Sequence, residues 1–162
     1  MSASSHKRRP DSQQVLAIRR RLTEILAGQP LAVLATCQQG QPYCSLVAVA
    51  AEADFTGLLL ATPRDSQKYL NIQAEPRVSL LIDNRSHRPR DFQHAAAVTA
   101  LGPAAEVDKS ARADLLEQYI AVQPNLENFV RSAETALVRV AVRRYVVVRH
   151  FQDVVEFVPT EA

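Results

Sequence analysis

The sequence predicts an α+β protein in which peripheral helices surround a small closed or split antiparallel β-barrel. Three observations lead there. About seven short apolar runs, rich in Val, Ala and Leu, are separated by turn chemistry. Helical patterns fall at only some of the connections, which argues against a regular β-α-β alternation. The runs 136–142 and 145–151 are joined too tightly for a parallel crossover.

The elements follow in order. Residues 1–10 are basic and lack an apolar stretch, so they read as a solvated tail ahead of one domain over 11–162. Val15, Ile18, Leu22, Ile25 and Leu26 recur at helical spacing, and Gly28 with Pro30 closes that helix. Strands 31–36 and 42–51 flank a turn built on Gly40 and Pro42. Cys37 and Cys44 sit about equally far from that turn, which predicts cross-strand neighbours, either free thiols or a redox disulfide. A third strand, 57–62, runs into Pro63-Arg64-Asp65-Ser66, where a short helix over 66–74 begins. Pro76 ends it. The run 78–82 is continuously apolar and predicts a strand buried on both faces, followed by a polar loop over 83–93. Residues 95–107 predict a strand interrupted at Gly102-Pro103 by a bulge or a bend. Asp108 or Ser110 opens a helix carrying Leu115, Leu116, Tyr119 and Ile120, and residues 125–131 add a further turn. The last strands are 136–142, 145–151 and 154–158.

Composition narrows the function. An apolar fraction of 47% suits a globular core, and no apolar run is long enough to span a bilayer. A net charge of +2 gives no electrostatic case for nucleic acid, and the expected location is cytoplasmic. His6, His87, His94 and His150 show no ligand spacing with one another or with cysteine, so no metal site is expected. The junction after the third strand is more informative. It gathers free backbone N–H groups, the hydroxyls of Thr62 and Ser66, and Lys68, which is how proteins hold a phosphate. Each residue also has a plainer reading: Ser66 as a helix N-cap, Lys68 as a surface lysine, Leu46 and Val47 as barrel core. Arg64 reads equally as a further phosphate partner or as an exposed turn arginine.

Four stretches in this order carry a family resemblance: LAVLAT with GQPYCSLV, LLLATPRDSQKYLN, EPRVSLLI, and VTALGPAAEV. Together they make the chain similar to the pyridoxamine 5′-phosphate oxidase-like FMN-binding split β-barrel family. The resemblance implies a homodimer with FMN in a groove between subunits. It implies that Ser45, Leu46 and Val47 lie along the flavin, with Ser45 where a phosphate-contacting Arg is common. Ala61 and Thr62 close the next strand of the site, and Ser66, Gln67 and Lys68 grip the phosphate, Lys68 supplying the cation. Two departures argue against the namesake reaction. Ala50 stands where the true oxidases carry a lysine, and the ending EFVPTEA lacks their Arg-x-His element. The implied activity is an FMN-dependent oxidoreductase of unknown substrate. The alternative is a non-catalytic flavin- or haem-binding module, with a deazaflavin as a further candidate ligand. Polar groups for a substrate side are Arg88, Arg90, His94, Tyr145 and His150.

Overall fold

The computed structural model describes residues 12–85, 91, 95–149 and 153–159. The basic tail, most of the 83–93 loop and all four histidines lie outside the described residues, and with them Arg88, Arg90, His94 and His150. The amphipathic helix Ser12–Gly28 (α1) turns Ile18, Leu22 and Ile25 into the core, one or two turns apart on one face. Its Arg19 lies over the rings of Phe157 (5.5 Å) and Phe55 (5.9 Å).

Leu31–Gln38 (β1) and Gln41–Ala51 (β2) form a hairpin paired from Leu31↔Ala48 to Gln38↔Gln41. Its turn is Gln39-Gly40, both at positive φ (51° and 80°), the left-handed pair that a two-residue hairpin requires. Pro42, expected both in the turn and at the start of the second strand, is a strand residue. The same register corrects the cysteine expectation. Cys37 faces Pro42 and Cys44 faces Ala35, so the cysteines are diagonal rather than direct neighbours, and both are free.

Gly57–Pro63 (β3), Arg77–Asp83 (β4), Ala96–Val107 (β5) and Thr135–Ala141 (β6) complete a closed, six-stranded antiparallel barrel in the order β4-β1-β2-β3-β6-β5, shut by β4–β5 pairing. Arg144–Arg149 (β7) and Asp153–Phe157 (β8) extend the sheet from β5. The molecule is thus an α+β split barrel. β5 stays continuous through Gly102-Pro103 but changes partner there, pairing β7 over 96–101 and β6 over 104–107. Glycine is required at that corner, because a Cβ on Gly102 would lie 1.9 Å from the Ala141 carbonyl oxygen.

Two apolar layers result. The barrel interior holds Leu34, Leu58, Leu60, Leu80, Ile82, Val98 and Tyr145. A second layer outside β3 and β6 packs Leu59 and Leu137 beneath helix Ala113–Val122 (α3) and the short helix Glu127–Arg131 (α4). β3 and β6 are therefore apolar on both faces. β4 is not, contrary to its continuous apolar run: Val78, Leu80 and Ile82 point inward, while Leu81 is 37% exposed on the outside. Among the described residues no helix covers that face as α3 covers β3. The start of α3 also differs from expectation. The Asp108 carboxylate accepts from the Ser110 and Ala111 N–H groups and the Ser110 hydroxyl, which holds a turn and delays the helix to Ala113.

Candidate functional site

The closed barrel has an opening at one end, where β2 and β3 part. Their pairing runs only over Val49↔Leu60, Ala50↔Leu59 and Ala51↔Leu58. β2 nevertheless extends back to Gln41 and β3 forward to Pro63. Continuing the register would set Val47 across from Thr62, but β3 there follows β6, through Thr62↔Ala136 and Pro63↔Thr135. The Arg64 N–H then donates to the Glu134 carbonyl at 3.0 Å, drawing the strand end further from β2. The edge of β2 before Val49 and the end of β3 beyond Leu60 are left without each other as partners. Pro42 suits such an edge, since it has no N–H to contribute to a ladder.

The residues expected at a cofactor lie on three elements that border this opening. On β2, Val47 is buried and Ser45 is half-buried, while Leu46 points outward and is 64% exposed. The expectation that Leu46 lines the barrel core is therefore corrected: strand alternation places only Val47 inside. The Ser45 hydroxyl oxygen is buried and has no hydrogen-bond partner, a state that costs free energy unless something else satisfies it. On β3, Ala61 packs against the second apolar layer, and Thr62 is buried with its hydroxyl 2.8 Å from that of Ser66. The third element is helix Gln67–Ala74 (α2), capped by Ser66, whose side chain accepts from the Tyr69 N–H at 3.4 Å.

Gln67 donates to the side-chain oxygens of Gln38 (3.0 Å) and Asn71 (2.7 Å). Asn71 in turn donates to the Thr36 hydroxyl at 2.9 Å, so a buried polar chain ties α2 to the β1–β2 hairpin. Lys68 is half-buried and has no hydrogen bond or ion pair with any described residue. It is a cation at a helix start with nothing yet to neutralise. Asp65 beside it is exposed.

Arg64 lies in the turn with its side chain 39% exposed, as one of its readings expected, but it is not free. Its guanidinium is bonded to the Glu106 carboxylate and to the Ala133 carbonyl oxygen. The Tyr69 hydroxyl donates to the other oxygen of Glu106. Burial works to raise the Glu106 carboxyl, but the bonds from Tyr69 and Arg64 outweigh it and hold the group below its ordinary value. The bond to Glu106 raises the Tyr69 phenol. Lys109 lies near this cluster with its ammonium on the carbonyls of Val130 (2.8 Å), Ser132 (2.7 Å) and Thr135 (2.8 Å), and burial lowers its pKa. Tyr145 is also corrected. It is fully buried and its hydroxyl donates to the Phe55 carbonyl at 2.9 Å, so it braces the core instead of facing a substrate. Sequence reasoning passed over Glu106 and Asn71, although each is a polar residue inside an apolar run.

Two cavities lie elsewhere on the chain. One is between α1 and the end of β2, lined by Thr23, Leu26, Val49 and Phe55; the other is beside the hairpin turn, lined by Cys37, Gly40 and Arg77. Neither is lined by the residues expected at the cofactor. Among the described residues no helix is long and apolar enough to cross a membrane. No group of metal-ligating side chains occurs among them either.

Comparison with known proteins fits this architecture. A haem-binding protein from Mycobacterium smegmatis superposes with a TM-score of 0.77 at 18% identity, over 94% of this chain and 60% of its own. This chain thus spans about three fifths of that protein's length. An FAD-binding protein from Mesorhizobium loti superposes at 0.64 and 18% identity, over 79% of this chain and 91% of its own. A haem storage protein from Vibrio cholerae gives 0.65 and 16%, over 76% and 88%. At these identities the likeness is one of fold. No curated protein matches the sequence. The pyridoxamine 5′-phosphate oxidase family model matches residues 18–149, which takes in the whole barrel, and the chain belongs to that family.

Proposed function

We propose that this protein binds FMN at the opening between β2 and β3 and works as a flavin-dependent oxidoreductase in the cytoplasm. The observation that carries the reading is that Lys68, in the first turn of α2, has no hydrogen bond or ion pair with any described residue, while the Ser66 and Thr62 hydroxyls meet at the same helix start. A phosphate placed there meets a cation, two hydroxyls and the first N–H groups of a helix. The unsatisfied Ser45 hydroxyl on the facing strand fits a hydrogen-bonding ligand in the gap. These residues suit a phosphate-bearing flavin. When bound, the flavin supplies two-electron chemistry, and the protein's part is to orient it and admit reactants.

The same reading makes the protein a homodimer. Across the outer face of β4, β1 and β2 runs a register row of Leu81, Val33 and Leu46, with Leu31 nearby. Leu31 is 47% exposed and Leu46 is 64% exposed, an apolar surface contiguous with the opening. A second copy seated there completes the groove that one chain leaves open. The two free cysteines suit a reducing compartment.

The test is the visible spectrum of the purified protein before and after FMN is added and the excess removed. Retained flavin bands, a melting temperature that rises with FMN concentration, and bleaching by reduced nicotinamide with recovery in air support the reading. A Soret band would replace it with haem binding, for which two structural neighbours are named. Retention without bleaching would leave a flavin holder without catalysis.

A further inference from the structure

We infer that Glu106 is a positioning residue for the phosphate-binding segment, acting through Arg64 and Tyr69 and touching no ligand itself. This rests on the phosphate reading of Ser66, Gln67 and Lys68. Those three residues are flanked in sequence by Arg64 and Tyr69, and both flanking side chains converge on one carboxylate. Glu106 comes from β5, where it pairs in register with Val138 of β6. The segment is thereby tied to the barrel wall, at the stretch of β5 just past the Gly102 corner, where β5 pairs with β6.

The supporting bonds all act on the same few residues. The Arg64 side chain reaches the Ala133 carbonyl, and its N–H reaches the Glu134 carbonyl. The Ser66 N–H donates to the Pro63 carbonyl at 3.2 Å, which closes the turn. Each oxygen of Glu106 has its own donor, so the carboxylate is bridged and cannot rotate without breaking a bond. Its side chain is 25% exposed and that of Arg64 39%, which leaves the pair accessible to water at one side only in part. The arrangement also has a chemical consequence. Arg64, the cation on the other side of the helix start, is neutralised by Glu106 and held on β5, so of these two flanking cations Lys68 is the one left for the ligand. Precise placement of Lys68 then matters more than in a site with several cations, and a one-ångström displacement would have nothing to compensate it.

The test compares FMN with riboflavin, which carries the same ring and ribityl chain without the phosphate, by fluorescence titration of the full chain. In the wild type FMN binds more tightly than riboflavin. Glu106→Gln is expected to weaken FMN by about ten-fold or more while leaving riboflavin within about two-fold, as loss of an outer supporting partner does at other preorganised sites. A purely structural role would weaken both flavins together, and that result overturns the inference. So does a Glu106→Gln protein that keeps the full preference for FMN. Should Glu106→Gln not fold, Tyr69→Phe removes only the phenol's bond to Glu106 and decides the matter. A selective loss of FMN affinity supports the inference, and an unchanged preference sinks it. A wild type that shows no preference for FMN overturns the phosphate reading itself, whatever the variants do.

Discussion

Lys68 carries more of the proposed site than any other side chain, because the competing cations are already engaged. Arg64 is held by Glu106, Lys109 by three carbonyls, and Arg77 by Glu75. A charge-assisted contact to a phosphate is about twice as strong as a neutral one. Lys68→Ala should therefore weaken FMN by about ten-fold or more, roughly 1.4 kcal/mol, in a fluorescence titration. An unchanged affinity would remove Lys68 from the site. In the proposed site Ser45 adds a weaker, neutral bond, which would satisfy its buried, unpartnered hydroxyl. Leu46 and Val47, neighbours in sequence, serve opposite purposes. One faces the interior and the other the outer surface, because successive strand residues alternate.

At the scale of elements, β5 holds the architecture together. Its first half pairs with β4 and β7, and its second half with β4's start and β6. The change of partner happens at Gly102, where the Ala141 carbonyl oxygen occupies the space a Cβ would need. Gly102→Ala cannot be absorbed by a flexible neighbour, since the clashing atoms are backbone. We expect a loss of about 1–3 kcal/mol, read as a lower urea midpoint with an unchanged slope. An unaltered midpoint would mean that the β5 corner and the β6–β7 turn separate freely. α2 is the other decisive element. It is short, so its position depends on what its side chains meet: Gln67 and Asn71 on the hairpin, Tyr69 on Glu106, Ile72 in the core.

For the whole molecule, the governing feature is one sheet face that no helix covers among the described residues. α3 and α4 cover β3 and β6, whereas the outer side of β4, β1 and β2 presents Leu81, Val33 and Leu46 in a row. If a second copy lies on that face, Leu46→Glu places a charge in its centre. Light scattering should then show monomer in place of dimer, with FMN affinity lost at the same time because the groove is halved. A wild-type monomer that still binds FMN would separate the cofactor site from the dimer.

The sequence by itself determined the strand and helix inventory, the hairpin and the start of α2. Those features are local: periodicity, turn residues and caps act within a few residues of each other. It also carried the family through four short stretches in order. Tertiary structure alone decided which faces are covered, where β2 and β3 part, and what becomes of Arg64. β4 shows why. Its continuous apolar run gives no hint that Leu81 faces outward, because exposure depends on whether a helix from elsewhere arrives. Arg64 and Glu106 lie 42 positions apart and meet only because β3, β6 and β5 are adjacent in the closed barrel. A contact of that kind has no signature in either residue's neighbourhood, and it is barrel closure that brings the two together.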